Sequence, residues 1–146
     1  MLLDTNGLFL PFTNGVPLES EVLRHVEHAR IGVPSSVLGE LARLVREGVP
    51  ESSVALRFAA RFPVVPCSGR GDAGILETAR DLGAIVVTAD RELQIRLRAV
   101  GVGVLRPRDR QRLELVLGRV GGAFSPRPSA ATVKNRPSIV RRSRSR

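Results

Sequence analysis

Four acidic residues in the first 90 positions have the types and spacing of one shared site. Asp4 closes a short apolar stretch at the start of the chain, and Asp90 follows the stretch Ala84–Thr88. Glu40 and Asp72 lie in the opening turns of two predicted helices. Carboxylates that meet in one place repel one another, which raises their pKa values and favours a bound cation. Such hard oxygen ligands suit Mg²⁺ or Mn²⁺, which keep several waters and can bridge to phosphate oxygens.

Helical geometry turns two of these acids toward the interior. At about 100° per residue, Asp72 shares an apolar stripe with Ile75, and Glu40 lies at the border of the stripe that contains Leu44. An inward-facing carboxylate is costly unless something compensates its charge. The two positions therefore favour a role beyond solvation.

Each acid has a plainer explanation when it is taken singly. Asp4, Asp72 and Asp90 precede or open helices, where aspartate is a favoured N-cap, and Glu40 fits a solvated helix residue. Capping does not require four acids at one edge of a sheet, however. The set favours a common site more strongly than any member does.

The elements that must position these acids alternate along the chain. Short β-branched runs alternate with helical periodicity as far as about Arg106, which predicts an α/β fold with a mostly parallel sheet covered by helices on both faces. Ligands of such sheets bind beyond the carboxyl ends of the strands, where the four acids fall. The predicted strands are Met1–Asp4, Arg30–Val33, Pro63–Pro66, Ala84–Thr88 and Val102–Leu105. The predicted helices are Glu19–Ala29, Ser36–Gly48, Glu51–Phe62, Asp72–Leu82 and Arg91–Val100.

The chain of 146 residues has the length of one domain, followed by two further segments. Over residues 110–122 the spacing of Leu113, Val116, Leu117 and Val120 predicts a terminal amphipathic helix, which either packs on the domain or contacts a partner. Residues 123–146 hold seven of the 23 basic residues and none of the 14 acidic ones, although the net charge of the whole chain is +9. This Arg-rich tail has too little apolar content to fold, and we expect it to be disordered.

Composition narrows the class of protein. Apolar residues make up 42% of the chain, enough for a core, and no apolar run reaches the ~18 residues that cross a bilayer. The single cysteine, Cys67, excludes an internal disulfide and a cysteine-based metal site. No signal peptide opens the chain, because Asp4 interrupts the first apolar stretch. We therefore expect a cytoplasmic protein with no membrane partner.

Four motifs follow one another over about residues 1–109. They are Leu2-Leu3-Asp4-Thr5-Asn6, Val33-Pro34-Ser35-Ser36-Val37-Leu38-Gly39-Glu40-Leu41, Gly71-Asp72-Ala73-Gly74-Ile75-Leu76 and Ile85-Val86-Val87-Thr88-Ala89-Asp90-Arg91-Glu92-Leu93. In order and spacing they resemble the motifs of the PIN-domain nucleases. Within that family the chain looks most like archaeal PIN proteins of the ribosomal RNA-processing branch, and the VapC toxins are the nearest rival group. The similarity implies a PIN-like three-layer sandwich with a mostly parallel central sheet.

The resemblance implies a divalent-metal-dependent endoribonuclease acting on single-stranded or loop RNA. A metal-activated water would attack the phosphodiester in line, leaving 5′-phosphate and 3′-hydroxyl ends. Gly71 departs from the family, because many relatives carry a second acid at this position. The positions that match the family's catalytic and metal-binding acids are Asp4, Glu40, Asp72 and Asp90. The positions that match its supporting residues are Thr5, Asn6, Thr88 and, in some members, the acid Glu92.

Three other signals compete with this interpretation. The segment Gly69–Gly74 matches the G-x-G-x-x-G pattern of dinucleotide-binding loops, but Asp72 would put a negative charge where the pyrophosphate belongs. His25 and His28 are three apart on a predicted helix and are expected at its surface rather than on a metal. Cys67 has no neighbouring base signal and is expected to be a buried or loop residue rather than a nucleophile.

Two further predictions concern the Arg-rich tail and the binding partners. The tail arginines would contact RNA phosphates without sequence preference, or would simply solubilise the chain. The alternatives to an RNA-processing nuclease are a VapC-type toxin with an antitoxin partner and a non-catalytic RNA-binding assembly factor. A second copy of the chain, forming a homodimer, is the other expected protein partner. The predicted RNA-binding residues of the tail are Arg141, Arg142, Arg144 and Arg146.

Overall fold

Short strands at the centre of the molecule carry the backbone hydrogen bonds that define the fold. The computed structural model describes residues 1–109 and 111–118. Its β-strands are two residues long, except for the last two, which are longer. The strands are β1 (Leu2–Leu3), β2 (Val33–Pro34), β3 (Val64–Val65), β4 (Val86–Val87), β5 (Val104–Asp109) and β6 (Arg112–Val116).

The strands form one continuous arrangement in the order β3-β2-β1-β4-β5-β6. Four of them pair as β1-β4-β5-β6, and β2 pairs with β3. A parallel bridge between Leu2 and Gly32 joins the two groups, because the Gly32 amide donates to the Met1 carbonyl at 2.9 Å and the Leu3 amide donates to the Gly32 carbonyl at 3.1 Å. Every pairing is parallel except that of β5 with β6. The prediction of a mostly parallel sheet is confirmed.

Helices cover both faces of this sheet. From β1 the chain moves in one direction to β2 and β3, and then crosses to β4 and β5 on the other side of β1. Right-handed crossovers in opposite directions put their helices on opposite faces. In agreement, α1, α3 and α4 pack on one another, and α5 packs on α6. The helices are α1 (Thr5–Thr13), α2 (Leu18–His25), α3 (Ser35–Arg46), α4 (Ser52–Ala59), α5 (Gly71–Leu82) and α6 (Arg91–Ala99).

The core lies between the sheet and these helices. Strands that are covered on both faces are apolar at every position, and Leu2, Leu3, Val86 and Val87 are all at most 2% exposed. The α/β class and the flanking helices expected from the sequence are confirmed. The crossing from β3 to β4 makes the carboxyl ends of β1 and β4 a topological switch point, where ligands of α/β sheets bind.

Helix α1 lies outside the helix ranges predicted from the sequence, although the capping explanation of Asp4 implied a helix after it. The side chain of Asp4 caps it, since Oδ1 accepts a hydrogen bond from the Gly7 amide at 2.6 Å. Pro11 lies inside the helix, and Gly7 weakens helix propensity further. Burial of Leu8 and Leu10 against the core compensates for this poor local propensity.

The predicted terminal helix over residues 110–122 is wrong where the structure describes it. Residues 112–116 form β6, which pairs antiparallel with β5. The backbone of Leu113 is held from the side by α2, because its amide donates to Glu21 Oε1 at 2.8 Å and its carbonyl accepts from Arg24 Nη2 at 3.2 Å. These long-range bonds decide the conformation of a short apolar run whose spacing suits a helix.

The remainder of the chain lies outside the described residues, and so do the predictions made for the tail. Those predictions include the disorder of residues 123–146 and the RNA contacts of Arg141, Arg142, Arg144 and Arg146. Across residues 1–109 and 111–118, no helix has the length and apolar character needed to span a membrane.

Candidate active site

Asp4 is a buried carboxylate at the end of β1. It is 3% exposed, and its Oδ1 is occupied by the cap of α1. The glycine three residues later is what allows this position: a Cβ on Gly7 would overlap the carbonyl oxygen of Val87. Helix α1 therefore begins directly against β4, and the Asp4 carboxylate is held at the junction of the two central strands.

Thr88 connects the acids that follow β1 and β4. Its hydroxyl donates to Asp4 Oδ2 at 2.5 Å and accepts from the Asp90 amide at 3.0 Å. Thr88 is completely buried, and its carbonyl accepts a further bond from Gln94 Nε2 at 3.2 Å. Thr88 thus fixes the orientation of Asp4 and the start of the turn that carries Asp90.

Asp90 caps α6 and is partly buried. Its Oδ1 accepts from the amides of Glu92 at 3.0 Å and Leu93 at 3.2 Å. The capping hypothesis is confirmed for Asp4 and Asp90. It is wrong for Asp72, because the N-cap of α5 is Arg70 and no side chain caps that helix.

Glu40 and Asp72 approach the same place from α3 and α5. The hydroxyl of Thr5 donates to Glu40 Oε1 at 2.6 Å, and Arg43 Nη2 lies 3.9 Å from Oε2. Asp72 Oδ2 lies 3.9 Å from Arg96 Nη1. With exposed fractions of 48% for Glu40 and 36% for Asp72, both side chains reach solvent.

The four acids line one cleft of about 660 Å³. The pKa of Asp4 is raised to about 7, chiefly by burial and further by the charges of Asp90 and Asp72, against the opposing hydrogen bonds from Thr88 and Gly7. Burial and the charge of Asp90 also raise the pKa of Asp72. The acids are therefore close enough to repel one another, as the sequence predicted.

The donor set suits a hard divalent cation, because it consists of carboxylates and a threonine hydroxyl. The arrangement of the side chains is looser than a ligand cage. Among the described residues, no three His, Cys, Asp or Glu side chains are arranged as the ligands of one ion. The four acids thus share a common cleft without forming a ligand cage.

The expected supporting residues fall in different places. Thr5 and the exposed Asn6 line the cleft, and Thr88 lies beneath it as a buried partner of Asp4. Glu92 is exposed on α6 and is outside the set of described residues that line the cleft, although its charge contributes to the raised pKa of Asp72.

Several lining residues were missed from the sequence. Phe9 follows Thr5 by one turn of α1, and Arg43 follows Glu40 by one turn of α3. The helical spacing from the acids was the available signal, but using it for Phe9 required knowing that α1 exists. Glu51 also lines the cleft, in a left-handed conformation with φ of 65°.

The competing signals have structural explanations. A Cβ on Gly69 or on Gly74 would overlap the backbone of the other residue, so these glycines of the G-x-G-x-x-G segment allow a loop to pack on the first turn of α5. His25 Nε2 lies 2.8 Å from the Leu113 carbonyl oxygen, while His28 is exposed. Cys67 Sγ accepts from Ser36 Oγ at 3.4 Å.

Comparisons with known proteins identify similar chains. A family model described as a PIN like domain matches residues 1–110. Ribonuclease VapC9 of Archaeoglobus fulgidus is 31% identical over 121 residues, which cover 79% of this chain and 89% of that protein. The solved structure of the PIN domain endonuclease Utp24 matches the fold with a TM-score of 0.66 and 23% identity, covering 80% of this chain and 92% of the Utp24 chain.

Proposed function

This chain belongs to the PIN-like domain family, and from that premise we propose that it is a divalent-metal-dependent endoribonuclease that hydrolyses phosphodiester bonds in single-stranded RNA. The observation that carries the proposal is the cleft at the switch point of the sheet, where Asp4 is buried beside other acids and its pKa is raised to about 7. The 31% identity to Ribonuclease VapC9 supports RNA as the substrate class.

The residues that would hold Mg²⁺ or Mn²⁺ are Asp4, Glu40, Asp72 and Asp90. A bound cation of this kind supplies the activation of a water and the stabilisation of the leaving oxygen. Thr88 would fix the rotamer of Asp4 by its 2.5 Å bond, and Thr5 would hold Glu40 by its bond of 2.6 Å. These two hydroxyls limit how far the carboxylates reorganise, which is how neighbouring hydrogen bonds tune metal ligands.

Cleavage of single-stranded RNA with Mn²⁺, with Mg²⁺ and with EDTA tests the proposal. We expect cleavage with either cation and none with EDTA. Asp4→Asn should lower the rate by ~100-fold or more, because even residues around metal ligands contribute 10–100-fold. Cleavage that is unchanged in Asp4→Asn would point to a contaminating nuclease and would contradict the assignment.

A matched pair on α5 controls for nonspecific effects of charge removal. Asp72 lines the cleft, and Asp81 is exposed on the same helix. Asp72→Asn should lose cleavage, and Asp81→Asn should retain it. Retained RNA binding without any cation-dependent cleavage in the wild-type protein would favour the non-catalytic assembly factor instead.

Two biological settings for the activity remain separate proposals. Similarity to Ribonuclease VapC9 favours a toxin with an antitoxin partner, while the sequence motifs favour ribosomal RNA processing. Overexpression distinguishes them, because a toxin should arrest growth unless a partner encoded by a neighbouring gene is co-expressed. An RNA-maturation enzyme should leave growth unaffected.

A further inference from the structure

The cleft is larger than a cation site requires. Six waters around an ion occupy roughly 200 Å³ at their liquid volume, whereas the cleft has about 660 Å³. The remaining volume is available to another group. A cleft of this size is in the range of sites for small organic ligands.

The part of the cleft away from Asp4, Glu40, Asp72 and Asp90 has an apolar wall, next to which Glu51 also lines the cleft. Phe9 follows Thr5 by four residues on α1, and Leu44 follows Glu40 by four residues on α3, so each lies about 6 Å farther along its helix. Val49 and Pro50, in the turn after α3, also line the cleft. We refer to this region, lined by Phe9, Leu44, Val49 and Pro50, as the distal pocket.

A positive charge lies beside the distal pocket. Arg43 lines the cleft, and its guanidinium is held by Glu47 at 2.7 Å and lies 3.9 Å from Glu40. A guanidinium has five N–H donors, so these two carboxylates leave donors for a further anion. With 50% exposure, the Arg43 side chain is accessible from solvent.

We propose that the distal pocket binds the RNA nucleotide next to the cleaved bond, with its base against Phe9 and a backbone phosphate at Arg43. This inference rests on the proposed ribonuclease function. An apolar wall beside a cation matches a nucleotide, which joins a flat, largely apolar base to an anionic phosphate. Aromatic side chains and arginines bind single-stranded nucleic acid through these two features.

Two phenylalanines on α1 provide a matched test of the base contact. Phe9 lines the cleft, whereas Phe12 packs on Phe58 with ring centroids 5.7 Å apart. Binding of a fluorescent single-stranded RNA is measured by anisotropy without divalent ions. Phe9→Leu should weaken binding by ~5-fold or more, because stacking on an aromatic ring contributes ~1–3 kcal/mol per base. Phe12→Leu should lower the melting temperature and leave the affinity unchanged.

An abasic RNA series identifies the nucleotide involved. Removing the base at one position next to the cleaved bond should weaken binding to the wild-type protein and should have no further effect on Phe9→Leu. Phe9→Tyr, which keeps the ring, should restore the sensitivity. With Mn²⁺ present, Phe9→Leu should raise KM and leave kcat nearly unchanged, since the contact is formed before and during the reaction.

Arg43 is tested by the salt dependence of binding. Loss of one phosphate contact lowers the slope of log K against log salt by ~0.7 for single strands. Arg43→Gln should show this decrease. Arg46→Gln, an exposed arginine on the same helix, is the control and should keep the wild-type slope.

The outcomes separate this inference from the proposed function. If the wild-type protein cleaves RNA while Phe9→Leu and Phe12→Leu bind RNA equally well, the proposed base contact in the distal pocket is wrong. The proposed ribonuclease function is then unaffected. If Arg43→Gln and Arg46→Gln have the same slope, the phosphate contact is wrong. If the wild-type protein neither cleaves nor binds RNA, both proposals are wrong.

Discussion

The chain buries Asp4 and Glu21 almost equally, at 3% and 6% exposure, but it surrounds them with different partners. Glu21 accepts two hydrogen bonds from Arg24, each of 3.0 Å, and one from the Leu113 amide. These bonds lower the pKa of Glu21 to about 2. Asp4 accepts hydrogen bonds from neutral donors only. Burial, together with the charges of neighbouring acids, therefore raises its pKa to about 7 against those hydrogen bonds.

The contrast separates a carboxylate that stabilises the fold from the carboxylate that we propose as part of the site. At Glu21 the protein supplies its own cation and joins α2 to the edge strand β6, so burial of the charge serves the fold. At Asp4 the nearby charges have the wrong sign, and hydrogen bonds alone stabilise the ionised form. A buried acid without a compensating cation is destabilising unless a cation arrives from outside.

The largest expected effect concerns the pH dependence of stability without divalent ions. The folded pKa of Asp4 is about 7 against 3.8 in the unfolded chain, so the folded state binds this proton more tightly. The contribution of Asp4 is therefore favourable below pH 4 and is lost as pH rises to about 7. The difference amounts to about 4 kcal/mol in the free energy of unfolding.

Asp4→Asn removes that titration. Relative to the wild-type protein, the variant should gain about 4 kcal/mol in unfolding free energy between pH 4 and pH 8, measured by urea denaturation in EDTA. Its absolute stability at pH 4 also reflects the altered bond to Thr88, so the change with pH is the quantity to compare. A stability difference that does not vary with pH would contradict the raised pKa.

The next effect is stabilisation by the cation itself. At pH 7.5 and a Mn²⁺ concentration of 100 times Kd, the wild-type protein should gain about 2.7 kcal/mol in unfolding free energy. Glu21→Gln should show the same gain, because Glu21 is not one of the acids of the cleft. Asp4→Asn should show little gain. An equal gain in Asp4→Asn would place the bound cation outside the cleft.

A smaller effect on the free energy of unfolding is expected from Glu21. The pKa of Glu21 falls from 4.5 in the unfolded chain to about 2 in the folded protein, so its contribution to stability is present above pH 4.5 and is lost as pH falls toward 2. At pH 7, Glu21→Gln should reduce the free energy of unfolding by about 2 kcal/mol, since half-exposed Arg24 is screened by water. Cleavage per folded molecule should be retained. If Glu21→Gln loses cleavage while still folded, the purely structural role of Glu21 is contradicted.

Sequence patterns could predict the elements that are buried on both faces. Strands covered on both faces are continuous apolar runs, as in Val86–Val87, and they fixed the positions of Asp4 and Asp90 at the carboxyl ends of the sheet. The common cleft of the four acids followed from those ends and from helical spacing. These inferences need only local periodicity and one rule about parallel sheets.

The rest depends on contacts between distant residues. Helix α1 was missed because Gly7 and Pro11 weaken its local signal, although Gly7 is required by the approach to Val87. Strand β6 was mistaken for a helix because its partners are β5 and the side chains of α2. Glu21 looks like an ordinary i, i+3 surface partner of Arg24, and only the bond to the Leu113 amide reveals its burial.

The smallest expected effect tests how firmly the exposed acids of the cleft must be held. Thr5 donates to Glu40, which is half-exposed, so Thr5→Val should change stability little. It should lower kcat for RNA cleavage by about tenfold, or about 1.4 kcal/mol, because a freed glutamate samples other rotamers. Thr5→Ser keeps the hydroxyl and should restore kcat. Thr13→Val is the matched control, since Thr13 lines the same cleft but its hydroxyl bonds to the Phe9 carbonyl at 3.0 Å and not to an acid. If the two valine variants lose activity equally, water suffices to hold Glu40, and the ordering supplied by the protein is confined to the buried pair of Asp4 and Thr88.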